Sequence, residues 1–381
     1  MSRMDDMIEA VRTSIDAGLI PILWGPDGEG KTSFIRSEIK RRGWKGWILN
    51  GSNMDPTDVG GAISVEDGIA SRIPVHRAIR EGVECSARGE HYMFFITELT
   101  CSPGAVLATL LTLMSEYIAG DVELDPEYIH IVIDANPPDI AVNATDLPAP
   151  VCTRMIHFDW KLGFDFWCEG MMSGEWAPVE QAALVVGFLK RQGEVSEDSP
   201  GPQSVGGCFR VPPTREYTNK PRPNPRTWTN LARGLDSAQR LEASRQAIAL
   251  IVHGTIGHHI GSEFMGYYTL REHLPEPAEI LANAATVEIP ERGDIAYMFF
   301  QSIAAYVSGT KKVDDWNKAW IILGRSDGTP HKDKAVVAAQ TLCSLYNTPE
   351  GKHLKKHLPK ELMKFAQDFR SLGFLKEKSN G

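Results

Sequence analysis

The sequence predicts an α/β fold in which a parallel sheet of about five strands has helices on both faces and is followed by a helical lid and a helical C-terminal region. Apolar runs typical of buried strands alternate with helical patterns up to about Trp160. A glycine-rich loop joins the first of these runs to a helix. From Thr227 onward, apolar residues recur at helical spacing almost to the end of the chain.

Each predicted strand is a short apolar or aromatic run between turn-rich segments. Between the second and third strands we expect a loop from Gly51 to Gly61 and then a helix from Ile73 to Ala87. Strands that alternate with helices in this way are typical of a parallel sheet that is covered on both faces. The predicted strands are Ile20 to Trp24, Trp47 to Asn50, His91 to Ile96, Ile129 to Ile133 and Met155 to Phe158.

The loop after the first strand matches the pattern G-x-x-x-x-G-K-[ST], and a strand before it with a helix behind it is the context that this motif requires. Its glycines let backbone N–H groups converge on phosphate oxygens, and the helix N-terminus adds partial positive charge. The lysine can contact the outer phosphates, and the Thr32 hydroxyl can bind Mg²⁺. A chance glycine-rich turn is the alternative. The sequence therefore predicts a P-loop NTPase core that binds ATP and Mg²⁺ through Gly25, Pro26, Asp27, Gly28, Glu29, Gly30, Lys31, Thr32 and Ser33.

Shifts in composition divide the chain into three predicted parts. A nucleotide-binding core spans residues 1–160, a helical lid spans 161–240, and a helical C-terminal region spans 241–381. The lid contains an insert from Glu194 to Pro225 that is rich in Gly, Pro and Ser.

The third predicted strand is followed by Thr97 and Glu98. In proteins with this kind of loop, such a strand usually ends in Asp-Glu: the Asp orients Mg²⁺ through water and the Glu activates the attacking water. Glu98 is in place for the base. Thr97 offers only a hydroxyl and supplies no charge to compensate Mg²⁺. The alternative for Glu98 is a surface carboxylate of the kind that can follow any strand.

Three further polar residues stand where they could act on the nucleotide. Asn136 follows the fourth strand, and its amide could hold the attacking water or a γ-phosphate oxygen, although Asn before two prolines is also a common turn. Arg154 directly precedes the fifth strand and could reach a phosphate bound by a neighbouring subunit, or could simply flank the strand. Arg226 lies in the first turn of a helix and could fold onto the nucleotide, or could be solvated.

These features, in this order, resemble the AAA+ ATPases, and more closely the MoxR-like branch with its phage and actinobacterial relatives. The resemblance covers the chain from about Ile20 to Leu235. It is carried by the sequences GPDGEGKT at 25–32, ELTCSP at 98–103, DANPPD at 134–139, LPAPVCTR at 147–154 and NPRTW at 224–228.

The resemblance implies roles for individual residues. It implies that Lys31 and Thr32 are the Walker A pair, Glu98 is the Walker B glutamate and Asn136 is the sensor 1 residue. Further implied roles are an arginine finger that acts in trans at Arg154 and the sensor 2 arginine of the lid at Arg226. The stretch 120–123 is similar to the hairpin insert of that branch. Thr97 departs from the family pattern, which has Asp at this position.

The resemblance also implies an assembly and a partner. Family members form rings, commonly hexamers, with the nucleotide between subunits. They often act on a protein that carries a von Willebrand factor A domain, which they remodel or activate.

Composition and charge limit which binding partners and which cellular compartment we expect for this protein. The net charge of -9 argues against a nucleic-acid partner, and the chain contains no apolar run of the roughly 20 residues that span a bilayer. Residues 1–10 carry acids and lack a signal-peptide pattern, and the six cysteines are scattered without a Cys-x-x-Cys pair. We therefore expect a cytoplasmic protein that does not contact membranes.

Three functions are consistent with these patterns. The first is a chaperone-like AAA+ ATP hydrolase that works as a ring and remodels a protein partner. The second is an assembly or scaffold protein that is gated by nucleotide and hydrolyses slowly, which Thr97 favours. The third is another kind of P-loop enzyme, such as a kinase or a helicase loader. The two arginines disfavour a kinase, and the net charge disfavours a loader.

Overall fold

In this computed structural model, the described residues are 3–137, 146–191, 208–211, 220–270, 274–345, 351–357 and 359–365. The chain forms two compact units, Met1–Gly163 and Phe164–Gly381. The division of the second unit into a lid and a C-terminal region stays a prediction. Most of the predicted insert from Glu194 to Pro225 lies outside the described residues.

The first unit is built on a parallel sheet, and its strands within the described residues are β1 (Ile20–Trp24), β2 (Lys45–Asn50), β3 (Ala62–Glu66), β4 (Ile69–Ile73), β5 (Tyr92–Thr97), β6 (Ile118–Ala119), β7 (Val122–Glu123), β8 (Ile129–Ala135) and β9 (Met155–Asp159). Five of them form the sheet, in the order β2-β5-β8-β1-β9. All four neighbouring pairs in this sheet are parallel. The loop after β1 and the segments after β5 and β8 therefore lie at one edge of the sheet.

Six helices of the first unit accompany these strands in the described residues: α1 (Arg3–Asp16), α2 (Lys31–Arg42), α3 (Pro56–Gly60), α4 (Arg77–Ala87), α5 (Gly104–Glu116) and α6 (Ala149–Cys152). Buried residues of α4 and α5, such as Ile79 and Leu110, form one core with Phe94, Ile131 and Ile133 of the sheet.

The opposite face of the sheet is covered by α2. A Cβ built on Gly46 of β2 would lie 3.0 Å from Ile39 Cδ1 of α2 and 3.3 Å from Met93 Cβ of β5. Glycine at position 46 thus lets the helix pack closely on the face that carries Met93. Helices on both faces of a five-stranded parallel sheet confirm the predicted α/β P-loop NTPase fold.

The expected loop from Gly51 to Gly61 is wrong. A 3₁₀ helix (Gly51–Asn53) and α3 occupy this stretch, and β3 and β4 then form an antiparallel hairpin that was not predicted. Asp55 and Asp58 form a capping box around Pro56 in the first turn of α3. The two-residue turn Asp67-Gly68, with φ of 51° and 77°, closes the hairpin.

The hairpin was not predicted because it buries little apolar surface. Ile63, Val65 and Ile69 are 66–71% exposed, so no apolar face marks its strands. The Asp-Gly pair was the available signal.

The short hairpin predicted around residues 120–123 is present as the antiparallel pair of β6 and β7.

The second unit is helical in the residues described: α7 (Phe164–Met172), α8 (Val179–Arg191), α9 (Pro225–Arg240), α10 (Arg245–Ile256), α11 (His258–Leu270), α12 (Pro277–Ala282), α13 (Gly293–Thr310), α14 (Val313–Gly324) and α15 (Lys332–Ser344), with 3₁₀ helices at Lys352–Lys356 and Lys360–Phe365. Phe299 and Phe300 of α13 pack with Trp316 and Trp320 of α14 in its core. Over the part of the chain that the structure covers, no helix combines the length and the apolar character needed to cross a bilayer.

At the edge of the sheet opposite the glycine-rich loop, His130 packs in an aromatic cluster. Its ring stacks on Trp44 with centroids 4.1 Å apart, and its Nε2 lies 3.0 Å from His91 Nδ1. Burial, reinforced by the charges of His91 and Arg42, lowers the pKa of His130 from 6.5 to about 4. The folded protein therefore holds His130 neutral at pH values where the unfolded chain protonates it.

This histidine should make stability depend on pH. Between pH 6.5 and about 4 the unfolded state binds a proton that the folded state does not, so the free energy of unfolding falls as the pH falls. We expect His130→Phe, which retains an aromatic ring, to reduce this loss. Thermal melts at pH 7 and pH 5 test the expectation. An equal drop in melting temperature for both proteins would contradict it.

Candidate functional site

The glycine-rich loop has the backbone shape that a phosphate site requires. Gly28 and Gly30 have φ of 83° and 77°, a left-handed conformation that favours glycine. Gly30 is the N-cap of α2, where no side chain caps the helix, and the Phe34 N–H donates to the Gly30 carbonyl at 2.9 Å. The N-terminus of a helix of 12 residues is therefore aimed into the loop.

Lys31 occupies the centre of the loop. Its side chain is buried, and its ammonium donates to the carbonyls of Gly25 and of Pro26, the latter at 3.0 Å. The same Nζ lies 3.5 Å from Oδ1 of Asn136, which directly follows β8. The structure thus brings the predicted lysine and the predicted asparagine together at one edge of the sheet.

Hydrogen bonds from Trp160 hold the glycine-rich loop in place. The Trp160 N–H donates to the Trp24 carbonyl at 2.6 Å, and its indole Nε1 donates to the Glu29 carbonyl at 2.9 Å. A Cβ on Gly25 would lie only 2.3 Å from the Trp160 carbonyl oxygen, so the chain needs glycine there. Trp160 was predicted only as the end of the core.

Three of the residues that were predicted to bind nucleotide, Glu29, Asp27 and Ser33, differ in how exposed their side chains are. Glu29 is 1% exposed, and its carboxylate accepts the Leu162 N–H at 3.0 Å. This bond fixes the loop to the segment after β9. Asp27 is exposed at the loop's tip. Ser33 is likewise exposed, in the first turn of α2.

Glu98 has a strained backbone directly after β5. Its φ of 57° and ψ of 36° are left-handed, which costs a residue with a Cβ about 1–2 kcal/mol. Its N–H donates to Asp134 Oδ1 at 3.1 Å, and its carboxylate Oε2 lies 2.7 Å from the Ser52 hydroxyl. Ser52 Oγ is also 2.8 Å from Asn50 Oδ1. These contacts hold the carboxylate beyond the end of β5.

A second hydrogen bond joins the segments that follow β5 and β8. The Thr100 hydroxyl donates to the Asn136 carbonyl at 3.3 Å. Glu98 and Asn136 therefore follow two neighbouring strands of the sheet, β5 and β8.

Arg154 is exposed in the turn between α6 and β9. Its N–H donates to the Val151 carbonyl at 3.0 Å. The preceding segment is anchored by His157, which accepts from Trp24 Nε1 at 2.9 Å through Nδ1 and donates from Nε2 to the Cys152 carbonyl at 2.8 Å. The role of Arg154 at a phosphate bound by a neighbouring subunit stays a prediction.

Arg226 is exposed in the first turn of α9, in the second unit. Asn224 caps this helix by accepting the Thr227 N–H at 2.9 Å. The predicted contact of Arg226 with the nucleotide stays a prediction.

Three residues that shape this site were not predicted to do so. Ser52 was placed in a loop, Asp134 was considered only within the motif 134–139, and Trp160 was taken as a boundary. Their partners lie 36 to 131 residues away in sequence, which is why local patterns could not reveal them. A carboxylate directly after the apolar run 131–133, as at Asp134, was the usable signal.

The residues present fit a nucleoside triphosphate with Mg²⁺. Left-handed glycines, a helix N-terminus and a buried ammonium supply the donors that phosphate oxygens need. Thr32, half-buried in the first turn of α2, supplies a hydroxyl for the metal. The group would be held by the loop and Lys31, with Thr32 as the metal ligand.

No protein-family model matches the chain, and no curated protein matches it. Similar solved structures include three of RuvB from Thermotoga maritima. A Lys-to-Arg mutant is 13% identical over 73% of this chain and 75% of its own, with a TM-score of 0.36. A structure described as the Holliday junction branch migration motor is 14% identical over 73% and 74%, with a TM-score of 0.34. A Pro-to-Gly mutant is 13% identical over 94% and 93%, with a TM-score of 0.35.

At these TM-scores and identities the likeness supports no conclusion about this chain. The α/β P-loop NTPase fold of the first unit rests on its own sheet and loop.

Proposed function

We propose that the chain is an AAA+ ATPase of the MoxR-like branch, which binds ATP with Mg²⁺ and hydrolyses it between the subunits of a ring, commonly a hexamer, to remodel or activate a protein partner. The observation that carries the proposal is the meeting of Lys31 and Asn136 at 3.5 Å, at the strand end next to the one that Glu98 follows. In a binding loop alone, a base and a polar amide at the neighbouring strand ends would have no use.

The residues divide the chemistry between them. Glu98 acts as the general base for the attacking water, and Asn136 positions that water or a γ-phosphate oxygen. Lys31 offsets charge that develops on the phosphoryl oxygens. Arg154 from a neighbouring subunit and Arg226 of the lid complete the site, roles that rest on the family resemblance. A partner with a von Willebrand factor A domain rests on the resemblance alone.

A second candidate is a nucleotide-gated assembly that hydrolyses slowly. Thr97 favours it, since its hydroxyl lies 3.5 Å from the Leu49 carbonyl and brings no negative charge to the metal side of the site. Both candidates require ATP binding. They differ in turnover.

Steady-state ATP hydrolysis over a range of protein concentrations separates them. For the ring ATPase, the rate per subunit rises with concentration, and Arg154→Ala lowers it at least about 1,000-fold, as loss of an arginine finger does. Arg80→Ala, which removes an exposed arginine of α4, is the matched control and should keep the rate. A rate per subunit that is independent of concentration and of Arg154 would overturn the ring ATPase. Assembly with ATP but without turnover would favour the second candidate.

A further inference from the structure

Thr97 leaves the metal side of the proposed site without a carboxylate on β5. Within P-loop NTPases, the magnesium ion is held by the loop Ser or Thr and by an acid at a strand end. The structure offers an acid for this purpose on the next strand.

Asp134 and Thr97 lie on the same face of the sheet. Side chains alternate along a strand, and Ile96 of β5 and its register partner Ile133 of β8 both belong to the core beneath α4 and α5. Their successors, Thr97 and Asp134, therefore lie on the opposite face. This is the face of Met93, on which α2 packs, and α2 carries Thr32 in its first turn.

Asp134 also stands nearer to the glycine-rich loop than Thr97 does. β8 pairs directly with β1, and Asp134 is the register partner of Leu23, two residues before Gly25. β5 is one strand further away, about 4.8 Å across the sheet. Two residues beyond Asp134, the Asn136 amide lies 3.5 Å from Lys31 Nζ.

The Asp134 carboxylate is held in place by the neighbouring strand. Its Oδ1 accepts the Glu98 N–H at 3.1 Å, a bond that also stabilises the left-handed backbone of Glu98. The Asp134 carboxylate thus connects Glu98, the proposed general base, with β8, the strand that pairs with β1.

We propose that Asp134 supplies, from β8, the negative charge that orients the Mg²⁺-bound waters, in place of Thr97 on β5. The inference rests on the proposed function and names the acid of that same site. A single carboxylate is sufficient, because Mg²⁺ keeps several waters and binds through one or two carboxylates plus substrate phosphates.

The test measures ATP affinity of the full chain by calorimetry, with Mg²⁺ and with EDTA. Wild type should bind more tightly with Mg²⁺. Asp134→Asn keeps an acceptor for the Glu98 N–H but loses the charge. We therefore expect the factor by which Mg²⁺ tightens ATP binding to be at least about tenfold smaller in this variant than in wild type. Its affinity in EDTA should not fall. Asp159→Asn is the matched control, since Asp159 is an exposed carboxylate at the end of β9, on the other side of β1. It should behave as wild type.

A double variant guards against a local folding defect. Thr97→Asp combined with Asp134→Thr moves the carboxylate from β8 to β5, and we expect it to recover the gain from Mg²⁺. If Asp134→Asn retains the full gain, or if the exchange fails to restore it in a folded protein, the role of Asp134 is overturned while ATP binding stands. If wild type binds no ATP, the proposed function itself fails.

Discussion

Glu98→Gln should slow hydrolysis about 10²–10⁴-fold while preserving ATP binding. Glutamine keeps the shape of the side chain and its contact with Ser52, but it cannot take a proton from the attacking water. A positioned general base contributes about 10²–10⁴-fold to rate, so turnover should fall by that factor. Hydrolysis and ATP affinity measured on the same preparation separate the two effects.

The matched control is Glu127→Gln, an exposed carboxylate outside the site, which should turn over like wild type. If Glu98→Gln hydrolysed ATP as fast as wild type, Glu98 would be only a surface carboxylate after a strand, and the base would have to be sought elsewhere.

Gly25→Ala should disrupt the loop from its first residue. The added methyl would lie 2.3 Å from the Trp160 carbonyl oxygen, and the two backbones cannot separate without breaking the Trp160 N–H bond to Trp24. Overpacking of this kind costs about 1–3 kcal/mol of folding free energy. We also expect ATP affinity to drop, because the carbonyl that holds Lys31 moves with the glycine. Thermal melts and calorimetry measure the two losses.

Gly104→Ala is the control for this substitution. Gly104 begins α5, and a Cβ there would meet no atom within 4 Å, so alanine should leave both stability and affinity close to wild type. Equal behaviour of the two variants would contradict the tight packing of Trp160 against the loop.

The loop, the strands and Glu98 could be predicted because their signals are local. The run 92–96 is apolar and aromatic because both of its faces are covered, and the glycine-rich loop has a fixed spacing. Once the strands were taken as parallel, Glu98 and Asn136 had to lie at one edge of the sheet.

The rest depends on contacts between distant residues. Glu29 matches the loop motif, but its carboxylate serves Leu162, 133 residues away, and nothing near Glu29 indicates this. Asp134 was considered only within the motif 134–139, although the role that we propose for it follows from Thr97 on the neighbouring strand β5. The hairpin of β3 and β4 lacks a buried face, so apolar periodicity could not reveal it.

Calorimetric titration with ATP and Mg²⁺ tests most directly whether the loop from Gly25 to Thr32 binds ATP through Lys31. Lys31→Met retains the apolar stem and removes the ammonium. Loss of hydrogen bonds to a charged group, worth about 1.5–3 kcal/mol, should weaken binding roughly 10- to 100-fold. Lys40→Met, on the exposed side of the same helix, should bind as wild type does. Equal ATP affinity for wild type and Lys31→Met, or no binding by wild type, would contradict ATP binding through Lys31.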